Sequence, residues 1–291
     1  MRWQVTYCTA FFVAWLALSP LFAQKKIAKL PPAIHEISGL SLRKDTLWTH
    51  NDSGGKPRLF ALNLQGQLLD SVVIPGAENV DWEEISQDEA GNFYLFDSGN
   101  NGHARKDLTI YKWHPQAGLL GRITYRFADQ EAYPPAPVQR HFNTEAAVWF
   151  RDSLFLFTKN QMGTGNYWTY IYAIPDQPGD YVLSCRDSIW LEKRVPTAAA
   201  LSPDGKTLVL TTYNFVRKKG LPPRLPRSLF VCRDFEGTKF STGQLRKYRM
   251  RTGPFTQIEA VEFRDDHSLW LGSEAVLFRP ARLYRMNLKQ D

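Results

Sequence analysis

Cysteine is almost missing from this chain. Three occur, and since Cys8 lies in an apolar leader, only Cys185 and Cys232 remain for the folded part. Two cysteines cannot build a disulfide framework, and no C-x-x-C pair offers a zinc or redox site. Both stand in strand-like runs, which reads as two buried free thiols ahead of a single bridge. The six histidines show no H-E-x-x-H or similar spacing, so the common zinc-hydrolase motif is excluded. There is no G-x-S-x-G elbow and no phosphate-binding loop. Ser53 and Ser98 each follow an Asp and precede a Gly, which is turn chemistry before it is catalysis. Beyond the leader no apolar run approaches the roughly 20 residues that span a bilayer.

What is present points to a large core. Of the residues 43% are hydrophobic, 13% aromatic and only 22% charged, which excludes disorder and coiled coil. The 19 glycines and 18 prolines punctuate the chain too often for long helices and suit many short strands. Arg2, the apolar stretch Cys8 to Leu18 and Ser19-Pro20-Leu21-Phe22-Ala23 have the layout of a signal peptide over residues 1–23. The expectation is one exported domain over 24–291, periplasmic or secreted, monomeric and without a membrane span. The leader carries one base and no acid, so the formal charge of +7 falls by one on its removal.

Self-similarity decides the fold. Five segments open alike: Glu36-Ile37-Ser38-Gly39-Leu40, Asp81-Trp82-Glu83-Glu84-Ile85, Thr144-Glu145-Ala146-Ala147-Val148, Thr197-Ala198-Ala199-Ala200-Leu201 and Ile258-Glu259-Ala260-Val261. Each is followed by a turn, a second apolar run, a third run and, in the first four, a more polar fourth run. The fifth unit stops short, and residues 24–30 can supply its missing strand. Such a plan predicts an all-β propeller of five four-stranded blades closed by an N-terminal strand, which protects edges that an open array exposes. A β-sandwich is the alternative, and a sixth blade would have to lie within residues 128–142.

In up-and-down blades the innermost strand starts on the face where the second strand hands over to the third. The repeat therefore gathers Glu36, Glu83 with Glu84, Glu145 and Glu259 with Asp52 and Asp97 at one mouth. Crowded carboxylates repel one another, and a hard cation with oxygen ligands relieves this; Ca²⁺ suits such a donor set. The competing reading is that these carboxylates tie blades together. Around them the same loops carry Lys56, Arg58, Arg105, Lys106, Lys159, Arg217, Lys218, Lys219, Arg279 and Arg282. A cation with bases nearby is an arrangement for a small anionic ligand such as a phosphoester. Solvated loop charge is the plainer alternative. The basic run Arg246 to Arg251 reads as edge protection; nucleic acid is not expected as a partner.

At Leu47-Trp48-Thr49-His50-Asn51-Asp52-Ser53-Gly54, Asp81 to Ile85 and Asp97-Ser98-Gly99-Asn100-Asn101 the chain resembles the exported bacterial propellers called phytase-like, or "esterase-like activity of phytase". Weaker motifs keep the resemblance in order from about residue 33 to 288. It implies a propeller and export, and by analogy with propeller phytases a Ca²⁺-dependent phosphatase in which Lys and Arg hold phosphate. Calcium-dependent lactonases of the gluconolactonase type are a second analogy, with Glu36 at their first ligand. There Ala198, Ala199 and Thr212 depart from the required Asn and Asp.

The expectation is therefore a metal-dependent hydrolase. Glu36, Asp52, Glu83, Asp97, Glu145 and Glu259 would hold Ca²⁺, while Arg58, Arg105 and Lys159 would orient the substrate. The alternative is a non-enzymatic propeller that binds a peptide, glycan or partner protein at the same mouth, with Tyr167 and Trp168 as contact residues.

Overall fold

The computed structural model describes residues 21–22, 24–160, 165–214, 226–251 and 256–288. Residues 1–20 and 23 of the expected leader, and the bases Arg217, Lys218 and Lys219, lie outside the described residues. Strands are the main regular structure described, with two three-residue 3₁₀ turns besides, and no helix among the described residues is long and apolar enough to cross a membrane.

Five sheets follow one another as blades, ordered from the axis outward. The first is Ile37–Arg43, Thr46–Asn51, Arg58–Asn63 and Leu68–Val73. Next come Trp82–Gln87, Phe93–Asp97, Thr109–His114 and Gly118–Phe127. The third blade holds Thr144–Phe150, Ser153–Thr158, Trp168–Pro175 and Cys185–Trp190. In the fourth are Val195–Leu201, Thr207–Tyr213, Arg227–Arg233 and Gln244–Met250. Ile258–Asp265, Ser268–Ser273 and Arg282–Asn287 make the fifth, completed by Lys25–Lys29 antiparallel to Arg282–Asn287. The five innermost strands pack in a ring. The segment 128–142 adds one short 3₁₀ turn, Pro137–Gln139, and no blade.

The apolar runs are continuous because each blade is buried on both faces. Phe93 and Leu95 pack against the first blade, while Tyr94 and Phe96 pack against the third. Leu154 and Leu156 face the second blade, Phe155 and Phe157 the fourth. Five apolar clusters result, one in each gap between blades. The outermost strands have one wet edge, and Leu68–Val73 is correspondingly exposed.

Two features depart from the repeat. The stretch expected as the third blade's fourth strand divides in two. Gly179–Leu183 leaves its own blade and adds to the second blade, parallel to Gly118–Phe127, and only Cys185–Trp190 stays. The break sits at Ser184, between a buried Leu183 and an exposed Cys185. Cys185 is thus exposed, not buried as expected; Cys232 is buried, and both thiols are free. The short strand Leu21–Phe22 lies parallel to Arg249 and Met250 on the fourth blade's outer edge.

Candidate functional site

One backbone bond recurs and builds the mouth. Asp52 N donates to Glu36 O (2.9 Å), Gly99 N to Asp81 O (3.0 Å), Lys159 N to Asn143 O (2.7 Å) and Glu274 N to Gln257 O (3.2 Å). Each ties a residue just beyond a second strand to the residue before the innermost strand. That pairing brings the two sets of polar side chains to one end of the axis. Hydroxyls lace neighbouring blades there. Ser38 Oγ donates to Glu83 O (2.8 Å), Ser98 Oγ to Thr144 O (2.9 Å) and Thr197 Oγ1 to Ile258 O (2.6 Å).

The expected carboxylates do meet. Oxygens of Asp52, Asp81 and Glu83 lie within 4.8 Å of one another, the one grouping among the described residues with the spacing of a cation site. One of the two Asp52 oxygens, Oδ1, is buried and has no hydrogen-bond partner. Burial, then the neighbouring Asp81 carboxylate, pushes Asp52 up to about 8. Asp81 is raised by burial and by Glu145, with Asp52 working the other way. Glu83 is pushed well up by burial and by Glu145, Asp52 and Asp81. On the fifth blade, burial and Glu274 raise Glu259, while burial and the charges of Glu36 and Glu145 lift Glu274 to about 7.

Lys159 sits inside this cluster. Its Nζ is 2.5 Å from Glu145 Oε2 and 5.6 Å from the centre of the Tyr213 ring. Burial opposes its charge, but Glu145, Tyr213, Glu83 and Glu259 outweigh that and hold it well above the usual lysine range. Asn143 Nδ2 donates to the other Glu145 oxygen (2.7 Å), so Glu145 is fully engaged.

The remaining expected residues are placed differently. Asp97 accepts from the backbone N–H of Asp81 and from Arg105 Nη1, both at 2.9 Å. Burial raises its pKa and the guanidinium offsets this. Arg105 is taken up by Asp97, Asp107 and the Gly99 carbonyl, although its Nη2 is buried without a partner. Glu36 stands on the rim, half exposed, 3.4 Å from His35. Arg58 turns outward, donating to Ser71 Oγ (3.1 Å) on the outermost strand of its own blade.

Asp81 and Glu274 are not among the expected ligands, although the repeat places Glu274 on this face. Their signals are in the sequence: Asp81 precedes Glu83 by two, the strand period, and Glu274 follows a second strand as Asp52 does. Glu84 goes the other way. It crosses the channel from the second blade to the fourth, its Oε2 accepting from Ala199 N (3.0 Å) and its Oε1 from Ile85 N (3.1 Å). Burial raises it strongly, with the Glu262 charge adding. Beyond it the far end opens into a cavity of about 1020 Å³ lined by Arg43, Gln87, Trp149, Ser202 and Glu262, among others.

No protein-family model matches the chain, and no curated protein matches it in sequence. Solved propellers do match in fold. A GH43 β-1,3-galactosidase with galactodeoxynojirimycin is 10% identical, with a TM-score of 0.53 over 92% of this chain and 95% of its own. The Cellvibrio cellulosa α-L-arabinanase complexed with arabinohexaose is 11% identical at 0.52, covering 91% and 94%. The PQQ-bound aldose sugar dehydrogenase of Streptomyces coelicolor is 11% identical at 0.51, covering 92% and 99%. At these identities the likeness is one of fold.

Proposed function

We propose that the acidic mouth is the active site of a hydrolase that works with a bound divalent cation, Ca²⁺ being the ion that suits it. The observation that carries this is the oxygen grouping of Asp52, Asp81 and Glu83, with one Asp52 oxygen buried and unpartnered. All-oxygen donors fit a hard cation and not zinc. Such an ion, when bound, lowers the pKa of a coordinated water and offsets charge that develops on the substrate. The protein's own groups supply the rest. Without the ion, burial and the repulsion of neighbouring carboxylates raise Asp52 and Asp81, and a bound cation offsets that repulsion. Lys159, fixed by Glu145, keeps a positive charge at the mouth.

Phosphoesters are the first substrate class to test, in keeping with the phytase-like motifs. The carboxylates here outnumber Lys159 and Arg105, so an anionic substrate depends on the cation. The solved relatives in fold named above include two glycosidases, which supports a hydrolase and makes glycosides the second class.

The test is calorimetry and thermal melting with Ca²⁺ or EDTA, followed by a phosphoester and glycoside panel. Millimolar Ca²⁺ should raise the melting temperature of the wild type and not of Asp52→Asn or Glu83→Gln. Hydrolysis should be lost with EDTA and return with Ca²⁺. No Ca²⁺-dependent shift in the wild type would overturn the cation site. A shift without turnover on any substrate would leave a cation-binding propeller that is not a hydrolase.

A further inference from the structure

The mouth face carries an aromatic cluster that the carboxylate chemistry does not use. Trp168 and Trp190 face each other across the two outer strands of the third blade, as directly paired residues. Their ring centres are 5.4 Å apart at 61°, and Tyr167 meets Trp190 edge-on at 6.0 Å. Trp168 is 45% exposed and Trp190 40%, in a protein whose other tryptophans are buried or half-buried wherever the structure describes them. Indoles of this size stay out of the core at a cost, unless something covers them.

We propose that these rings form a platform for a neutral oligosaccharide whose other end enters the acidic mouth. The inference rests on the hydrolase reading only for what happens to that end; binding stands by itself. Three lines lead there. First, a pyranose has an apolar C–H face and a polar rim, which matches an indole face next to polar groups. Asn166 provides such groups, accepting from Trp168 N (3.1 Å) and donating to Tyr170 Oη (3.4 Å).

Second, the patch is the wrong size for a protein. Three partly covered rings fall far short of the roughly 800 Å² per partner of a stable protein interface.

Third, the platform is continuous with the mouth. Asn160 follows Lys159 directly, and its Nδ2 donates to Trp168 O (2.6 Å). Its Oδ1 is buried and unpartnered, in a side chain from a residue only 3% exposed. The third and fourth strands lie two and three strand spacings from the innermost strand, about 10 to 15 Å. A monosaccharide cannot bridge that span and a short oligosaccharide can. A free phosphate would gain nothing from the indoles.

Neutral hexaoses of arabinose, galactose, glucose, mannose and xylose, their monosaccharides, and inositol hexakisphosphate would be titrated by calorimetry and tryptophan fluorescence. At least one hexaose should bind and quench fluorescence, its monosaccharide much more weakly. Trp168→Ala and Trp190→Ala should each weaken binding by about tenfold, the loss of one good contact. Trp190→Phe, which keeps a ring, should lose less, and it guards against misfolding of the alanine variants. If no hexaose binds, or if the alanine variants bind as tightly as the wild type, the platform is overturned. The hexakisphosphate as the one ligand bound overturns it too. Hexaose binding with no cleavage of any hexaose or phosphoester keeps the platform and removes the hydrolase. Phosphoester turnover with no hexaose bound keeps the hydrolase and removes the platform.

Discussion

At the scale of single residues the mouth is a place where acids hold protons they would lose in water. Asp52 sits at about 8 and Glu274 at about 7, both lifted first by burial. Acids raised in this way leave the folded state with more bound protons than the unfolded chain between about pH 4 and 8, so stability falls as pH rises through that window. Melting curves across that range should show it, and Ca²⁺ should flatten the trend by replacing the protons. At pH 8 and without cation, Asp52→Asn should therefore stabilise by about 1 kcal/mol, or about 2–4 °C in melting temperature for a chain of this size. Lys159→Met should do the opposite. It strips the counter-charge from Glu145, Glu83 and Glu259, a loss of about 3 kcal/mol by the usual cost of orphaning a buried ion pair. Adding Glu145→Gln should recover part of that, read by denaturant titration.

The residue types at this mouth were legible in the sequence, because a repeat fixes which position of each unit faces the axis. Their engagements were not. Nothing in the spacing says that Arg105 closes on Asp97, that Lys159 closes on Glu145, or that Arg58 turns out to Ser71. Long flexible side chains choose partners by three-dimensional proximity, which a linear pattern does not carry.

At the scale of elements, the innermost strands do two jobs at once. Their outer edges pair within the blade, and their inner edges leave N–H groups facing the channel. Glu84 satisfies two of these, at Ile85 and Ala199, by lying across the axis. Gly39 makes the space, with φ at +67° and a hypothetical Cβ only 2.7 Å from Ile85 N and 2.8 Å from Glu84 Oε1. Gly39→Ala should cost about 2 kcal/mol or more through strain and clash together, measured by denaturant titration. The adjacent pair Glu83-Glu84 looked equivalent in sequence. A register shift between Trp82 and Glu84 leaves Glu83 out of the ladder and separates them, one going to the mouth and the other down the channel.

The N-terminal strand is the second decisive element. Lys25–Lys29 covers the edge of Arg282–Asn287, and Leu30 N donates to Ala281 O (2.9 Å) just beyond it. Deleting residues 24–30 opens the ring at that blade and bares a strand edge. The expected result is a lower melting temperature and association seen by light scattering; unchanged melting would show that ring closure is not needed.

At the scale of the whole molecule, cohesion lies between blades. Each gap holds its own apolar cluster, from Trp82 with Phe93 between the first two blades to Phe60 with Trp270 between the first and last. A blade alone cannot bury both of its faces, so the ring is stable as a unit or not at all. The same closure points five strand starts inward and concentrates acid at one end.

The sequence by itself determined the repeat of four-stranded units, the strand that can complete the last of them and the residue types at the mouth. Those follow from local period and from repetition, which need no knowledge of what a side chain meets. Only the tertiary structure decided which carboxylates crowd one another and which bases are already paired. It also decided that Gly179–Leu183 crosses to the neighbouring blade and that two tryptophans stand out of the core. Such outcomes depend on distances and burial set by packing between distant segments, and no short-range pattern encodes them.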